Sequence, residues 1–132
     1  MFVAINTSHL QFNGDSKRRF IVFIRKYLIN TYKQIIINNK GTLDKKLKPF
    51  NLNYNDLLNS LSKSVIVENY DYGILVGFSN YHKVGNFKFL SIIKAIDFGS
   101  QVTGSPYPLF SPIQHSVAKY IDILYGRFIG VR

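Results

Sequence analysis

Cysteine is absent from this chain of 132 residues, and glutamate occurs once, at Glu68. The first absence excludes a disulfide scaffold, a thiolate zinc site and a cysteine nucleophile, while leaving the redox compartment open. The second leaves no evident carboxylate pair for acid-base catalysis. Long apolar runs are missing too. Phe20-Ile21-Val22-Phe23-Ile24 and Ile35-Ile36-Ile37 are cut by charge, well short of the roughly 20 residues of a membrane helix. The first sixteen residues offer only the patch Phe2-Val3-Ala4-Ile5, without the basic head and apolar stretch of an export signal. These features predict a soluble protein.

What is present is apolar residues and positive charge. At 46% hydrophobic residues, the chain is expected to fold as one domain, residues 1–132, around a single core. The net charge is +10, from 17 Lys and Arg against 7 Asp and Glu. Its distribution is uneven: from Lys17 to Lys48 there are ten basic residues and one acid, Asp44, a local net of +9.

Residues 16–39 carry much of that charge and read as the principal helix, opened by Asp15 or Ser16 and closed near Asn39-Lys40-Gly41. Phe20, Ile24, Tyr27, Thr31 and Ile35 fall on one face, with Leu28 beside them, and that face is expected to meet a sheet. Arg18, Arg19, Arg25, Lys26 and Lys33 occupy the opposite side. Val22, Ile29 and Ile36, spaced by seven, run up the middle of it. Basic residues usually mark a solvated face, and the seam could be buried under another part of the chain. The preferred expectation is an apolar strip flanked by cations that contacts a neighbouring subunit or partner.

Further along, residues 42–55 are polar, basic and interrupted by Pro49, which predicts a long loop. A short turn over Asp56–Leu61 follows, capped by Asn55 or Asp56. Residues 64–68 and 72–78 are β-branched runs separated by Asn69-Tyr70-Asp71, the pattern of a hairpin. Residues 80–86 read as another loop and residues 87–96 as a short helix. Pro106, Pro108 and Pro112 impose an extended course. A helix is then expected from Pro112 through Leu124, with residues 127–132 as a last strand. The class is α+β: a long N-terminal helix packed on a small antiparallel sheet, with a short middle helix, a Pro-rich loop and a C-terminal helix.

Chemical motifs are sparse. Asp97-Phe98-Gly99 matches a kinase magnesium motif, but the catalytic loop and strand lysine that must accompany it are missing. His9, His82 and His115 stand far apart with no acid at metal-ligand spacing. No enzyme activity and no cofactor are expected, although convergence of the histidines in space would make an enzyme. The basic segment suggests phosphate contacts, yet zinc-finger spacing, an RRM signature and a Gly-rich phosphate loop are all lacking.

The order of parts resembles the tail-completion, or head-tail connector (neck), family of tailed bacteriophages. The quoted segments are DLLNSLSKSVIVE after the long helix, ILVGFS, AIDFGS, and PLFSP entering the last helix. Asp97-Phe98-Gly99-Ser100 stands at the place of the family's Glu-Phe-Gly-Thr-like turn. Pro108-Leu109-Phe110-Ser111-Pro112 stands at that of its Pro-Phe-Leu-Arg-Pro-like segment, and the correspondence spans roughly residues 16–125. The resemblance implies a virion structural protein, assembled in the host cytoplasm, whose subunits form a homo-oligomeric ring at the head-tail junction. Its partners would be other neck, portal or tail proteins and DNA in the channel, with no membrane. It implies that Phe98, Tyr107, Leu109 and Phe110, about the turn at Gly99, anchor the turn or fill a neighbour's pocket, joining Val22, Ile29 and Ile36 as the candidate subunit or partner interface; the simpler reading keeps Phe98, Tyr107 and Phe110 as core or loop-anchoring aromatics. Arg18, Arg19, Arg25, Lys26, Lys33, Lys45, Lys46 and Lys48 become candidate contacts to DNA or acidic surfaces. The alternative is a small basic protein that binds nucleic acid without reading sequence.

Overall fold

The computed structural model describes residues 1–130. Its elements are β1 (Phe2–Asn6), α1 (Ser16–Asn38), α2 (Lys40–Leu47), a 3-10 turn (Lys48–Phe50), α3 (Tyr54–Ser64), β2 (Val65–Tyr70), β3 (Gly73–Phe78), β4 (Lys83–Val84), β5 (Phe87–Lys88), α4 (Phe89–Phe98), α5 (Ser111–Lys119) and α6 (Ile121–Gly130). The α+β class is as expected, with the long helix, the small antiparallel sheet, the middle helix and the C-terminal helices in the anticipated order.

β2 and β3 form the expected hairpin, and β1 adds to the other edge of β3, giving the antiparallel order β1-β3-β2. The N-terminal apolar patch, noted only for its lack of an export signal, is this third strand. Register places Ile5 opposite Ile74, Val67 opposite Val76 and Val65 opposite Phe78. These six side chains are buried, as period-two alternation requires of a sheet with one covered face. Gly73 permits the approach of β1: a Cβ there would lie 1.8 Å from the Ile5 carbonyl oxygen.

Helix α1 is covered from more than one side, since it touches β2 and α3 as well as α5 and α6. Phe20, Ile24, Leu28, Ile29, Tyr32 and Ile36 are its buried apolar residues. The inward face is therefore rotated from the expected one: Tyr27, Thr31 and Ile35 are only half-buried. Ile29 and Ile36 belong to the chain's own core, which corrects the expectation of an outward seam, and Val22 alone of that trio is exposed.

Three local readings are corrected. Residues 42–55 are largely helical. Leu43 and Leu47, one turn apart, are fully buried, and Pro49 sits in the first turn of the 3-10 segment, where a missing N–H costs nothing. Helix α3 starts two residues before the expected turn, because Asn53 closes a capping box in which its side chain accepts from the Asp56 N–H and Asp56 accepts from the Asn53 N–H. The tail through Gly130 is helix α6, with Tyr125 and Phe128 packed on Phe20 (ring centroids 5.9 and 5.3 Å). Val131 and Arg132, the end of the anticipated strand, lie outside the described residues.

Gly73→Ala is expected to lower stability by about 1–3 kcal/mol or more through forced overpacking and to speed amide exchange along β1. Gly126→Ala, where an added Cβ meets nothing within 4 Å, is expected to be neutral or stabilising. Equal denaturant midpoints for the two variants would refute the close-approach argument.

Candidate functional site

The segment from Asp97 to Ser111 joins the end of α4 to the start of α5. Asp97 is 1% exposed. Its Oδ1 accepts the backbone N–H groups of Leu109 (2.8 Å) and Phe110 (3.1 Å), and its Oδ2 that of Ser111 (2.7 Å). A carboxylate cannot be buried cheaply without partners, and here the free amides that open α5 supply them. Sequence reading placed the acid correctly before the turn but gave it no such task. Both oxygens are occupied by the chain itself, so the Asp-Phe-Gly tripeptide is a structural clasp.

The loop between these ends is fastened at further points. Gly99 has φ of +80°, and a Cβ there would stand 2.8 Å from the Gly104 carbonyl oxygen and 2.9 Å from the Pro106 nitrogen. Ser100 and Gly104 exchange backbone hydrogen bonds, and the Thr103 hydroxyl donates to the Ala95 carbonyl at 2.7 Å. Tyr107 reaches across to α1's end, where its hydroxyl donates to Asn39 Oδ1 at 2.6 Å. Asn39 Nδ2 in turn donates to the Ile35 carbonyl, at the break between α1 and α2. From α2, Lys46 Nζ donates to the carbonyls of Thr103 (2.9 Å) and Ser105 (3.0 Å) and lies 5.7 Å from the Tyr107 ring centre. Asn39 and Thr103 escaped the sequence reading as site residues because the contacts that tie α1 and α2 to the turn, Tyr107 on Asn39 and Lys46 on the Thr103 carbonyl, join residues 68 and 57 apart in the chain.

Of the residues proposed for an interface, Phe110 is fully buried against Tyr32 and Phe78 (centroids 5.6 and 6.2 Å). Like Ile29 and Ile36 it is committed to the core, which corrects its expected place at a partner interface and agrees with its simpler reading as a core aromatic. Tyr107 and Leu109 are half-buried and Gly99 sets the turn. Phe98 is 58% exposed at the clasp, with Val102, 54% exposed, on the same loop.

The basic residues divide as well. Arg25 donates through Nε to the Val65 carbonyl (3.2 Å) and through Nη2 to the Ser62 carbonyl, at the C-terminal end of α3, where a cation is favoured by the helix dipole. Arg25 and Lys46 are thus engaged internally. Arg18, Arg19, Lys26, Lys33, Lys45 and Lys48 are exposed. Among the described residues no Lys or Arg comes within 4.0 Å of a carboxylate; the one imidazole–carboxylate contact is His9 Nε2 with Asp122 Oδ1 at 2.5 Å.

Among the described residues, no three His, Asp or Glu side chains gather as a metal centre would require, and no helix is long and apolar enough to cross a membrane. Compared with protein-family models, curated proteins and solved structures, the chain matches none.

Burial, and secondarily the negative charge of Asp97, raises the Tyr32 pKa above its ordinary value. The unfolded chain releases that proton above about pH 10 while the folded one retains it. The folded state then binds more protons, so stability falls as pH rises beyond this point. Tyr32→Phe is expected to reduce the slope of stability against pH between pH 10 and 11, measured by urea unfolding; an unchanged slope would remove Tyr32 as its source. Asp97→Ala, which strands three amides, is expected to cost about 3 kcal/mol or more in the same measurement at pH 7.

Proposed function

We propose that the chain is a structural virion subunit of a tailed bacteriophage, a tail-completion or neck protein that forms a ring joining head and tail. The observation that carries this reading is the braced turn at residues 97–111. It is bonded to α2 through the Thr103 carbonyl, to α4 through the Thr103 hydroxyl and the Tyr107 N–H, and to the end of α1 through the Tyr107 hydroxyl, yet it presents Phe98 and Val102 to solvent. An exposed aromatic on a segment that is already ordered loses little entropy when it enters a neighbour's pocket. This is what a subunit needs if it must seal against adjoining rings. The order of parts quoted from the sequence supports the same reading, which involves no cofactor and no catalytic step.

Phe98→Ala combined with Val102→Ser is expected to leave stability within about 0.5 kcal/mol, as surface changes usually do. Phage carrying the pair should accumulate unjoined heads and tails in electron micrographs of lysates. Normal joining by a folded double variant would sink the proposal. Phe110→Ala should differ in kind, costing about 3–5 kcal/mol of stability.

One observation favours a second reading, non-specific nucleic-acid binding: the exposed cations of α1 and α2 lack carboxylate partners among the described residues. Counterion release then gives affinity that falls steeply with salt. In an anisotropy titration with random-sequence duplex and single-stranded DNA, a Kd tighter than about 1 μM at physiological salt exceeds the usual non-specific range and would favour this reading. Weaker binding leaves the charge as a property of the subunit's surface.

A further inference from the structure

The seam between α1 and α6 is open. On α1 it is lined by Ser16 and then by Arg19, Val22, Phe23, Lys26 and Tyr27, the last five standing at i, i+3, i+4, i+7 and i+8. On α6 it is lined by Tyr120, at the break before the helix, then Ile123, Leu124, Arg127 and Phe128, which repeat that spacing. The lining forms two cavities, of about 510 Å³ beside Val22 and Phe128 and about 250 Å³ beside Tyr27 and Ile123. Two helical faces presented over two turns each, about 12 Å of axis, make a groove of the dimensions into which a third amphipathic helix packs.

The chemistry of the walls selects the occupant. Val22 is 49% exposed and Ile123 54%, apolar side chains that folding has left in water. Arg19, Lys26 and Arg127 flank them, and no acid lines either cavity. Of the two acids adjoining the lining in sequence, Asp122 is taken by His9, and Asp15, beside Ser16 at one end of the larger cavity, leaves the three cations in excess. A second copy presenting this same face would set cation against cation, which costs affinity, and the chain as a whole carries +10. Duplex DNA would satisfy the cations but leave the apolar floor uncovered. We infer that the α1/α6 seam docks an acidic amphipathic helix of a partner protein, with apolar side chains on Val22, Ile123 and Phe128 and carboxylates meeting Arg19, Lys26 and Arg127. The inference does not depend on the connector reading, because it uses none of the residues of the 97–111 turn.

The test titrates the full chain at physiological salt with a fluorescent 18-residue peptide of Leu and Glu, Leu at i, i+3, i+4 and i+7. A matched Leu and Lys peptide and a random-sequence duplex serve as competitors. The Glu peptide is expected to bind at least about tenfold more tightly than the Lys peptide. Val22→Asp with Ile123→Asp, and separately Arg19→Glu with Lys26→Glu, should each weaken it by about tenfold or more. These positions are exposed, so circular dichroism should show both variants folded. Binding that survives both double variants would overturn the inference. So would binding lost only with the charge reversal and displaced equally by duplex DNA, since the surface would then be a general polyanion site.

Discussion

The buried carboxylate of Asp97 fixes how the C-terminal third of the molecule meets the rest. An anion in the interior is tolerable only when its lone pairs are filled, and the three amides that fill them belong to Leu109, Phe110 and Ser111. The end of α4 is thereby joined to the beginning of α5. Helix α5 in turn lies on β1, and α6 lies on α1, so one side chain sets the starting direction for both. The aromatic cluster of Tyr32, Phe78, Phe89 and Phe110 closes underneath it. The same constraint orders the loop that carries Phe98, and it indirectly positions the wall of the α1/α6 seam.

The positive charge follows a consistent pattern. Where cations are used internally, they meet carbonyl groups: Arg25 at the end of α3, Lys46 on the Thr103 and Ser105 carbonyls, and Lys17 on the Tyr70 carbonyl. Peptide dipoles orient a cation without cancelling its charge. The fold can therefore use these residues structurally while the field outside stays strongly positive. This favours acidic partners of either class and opposes close approach of two copies through their basic faces. A homo-oligomeric ring would have to bring the basic face of each subunit against a different, less charged face of its neighbour, a heterologous contact of the kind that closes rings.

Strong local signals were legible in the sequence and remote ones were not. The length of α1, the β2-β3 hairpin and α4 all follow from periodicity and flanking turn residues. Helix α2 did not, because Leu43 and Leu47 are its only apolar anchors within a basic, proline-ended segment. The strand β1 lacks polar alternation, and α6 carries the Ile, Tyr and Phe that suit a strand together with two glycines that a helix interior disfavours. Spacing by seven grouped Val22, Ile29 and Ile36 on one outward seam, but could not tell that α1 is covered from more than one side, which puts Ile29 and Ile36 in the core and leaves Val22 exposed. At the clasp, Asp97 and Gly99 were singled out by composition, whereas the partners of Lys46 lie 57 and 59 residues away. Such pairings are properties of the tertiary fold.

The strand order also has a temporal side. β1 is made before the other described elements, yet its hydrogen-bonding partner β3 begins at Gly73, about seventy residues later. During synthesis α1 and α2 can coil from local contacts while β1 waits with an unpaired edge. Completion of the sheet is thus a long-range closure, entropically the slower kind. Further closures follow it, as Gln114 donates to the Met1 carbonyl and Tyr125 to that of Gln11. Residues of β1 are thus synthesised before α1 and yet secured after it, so a nascent chain halted before β3 would hold β1 free to pair elsewhere.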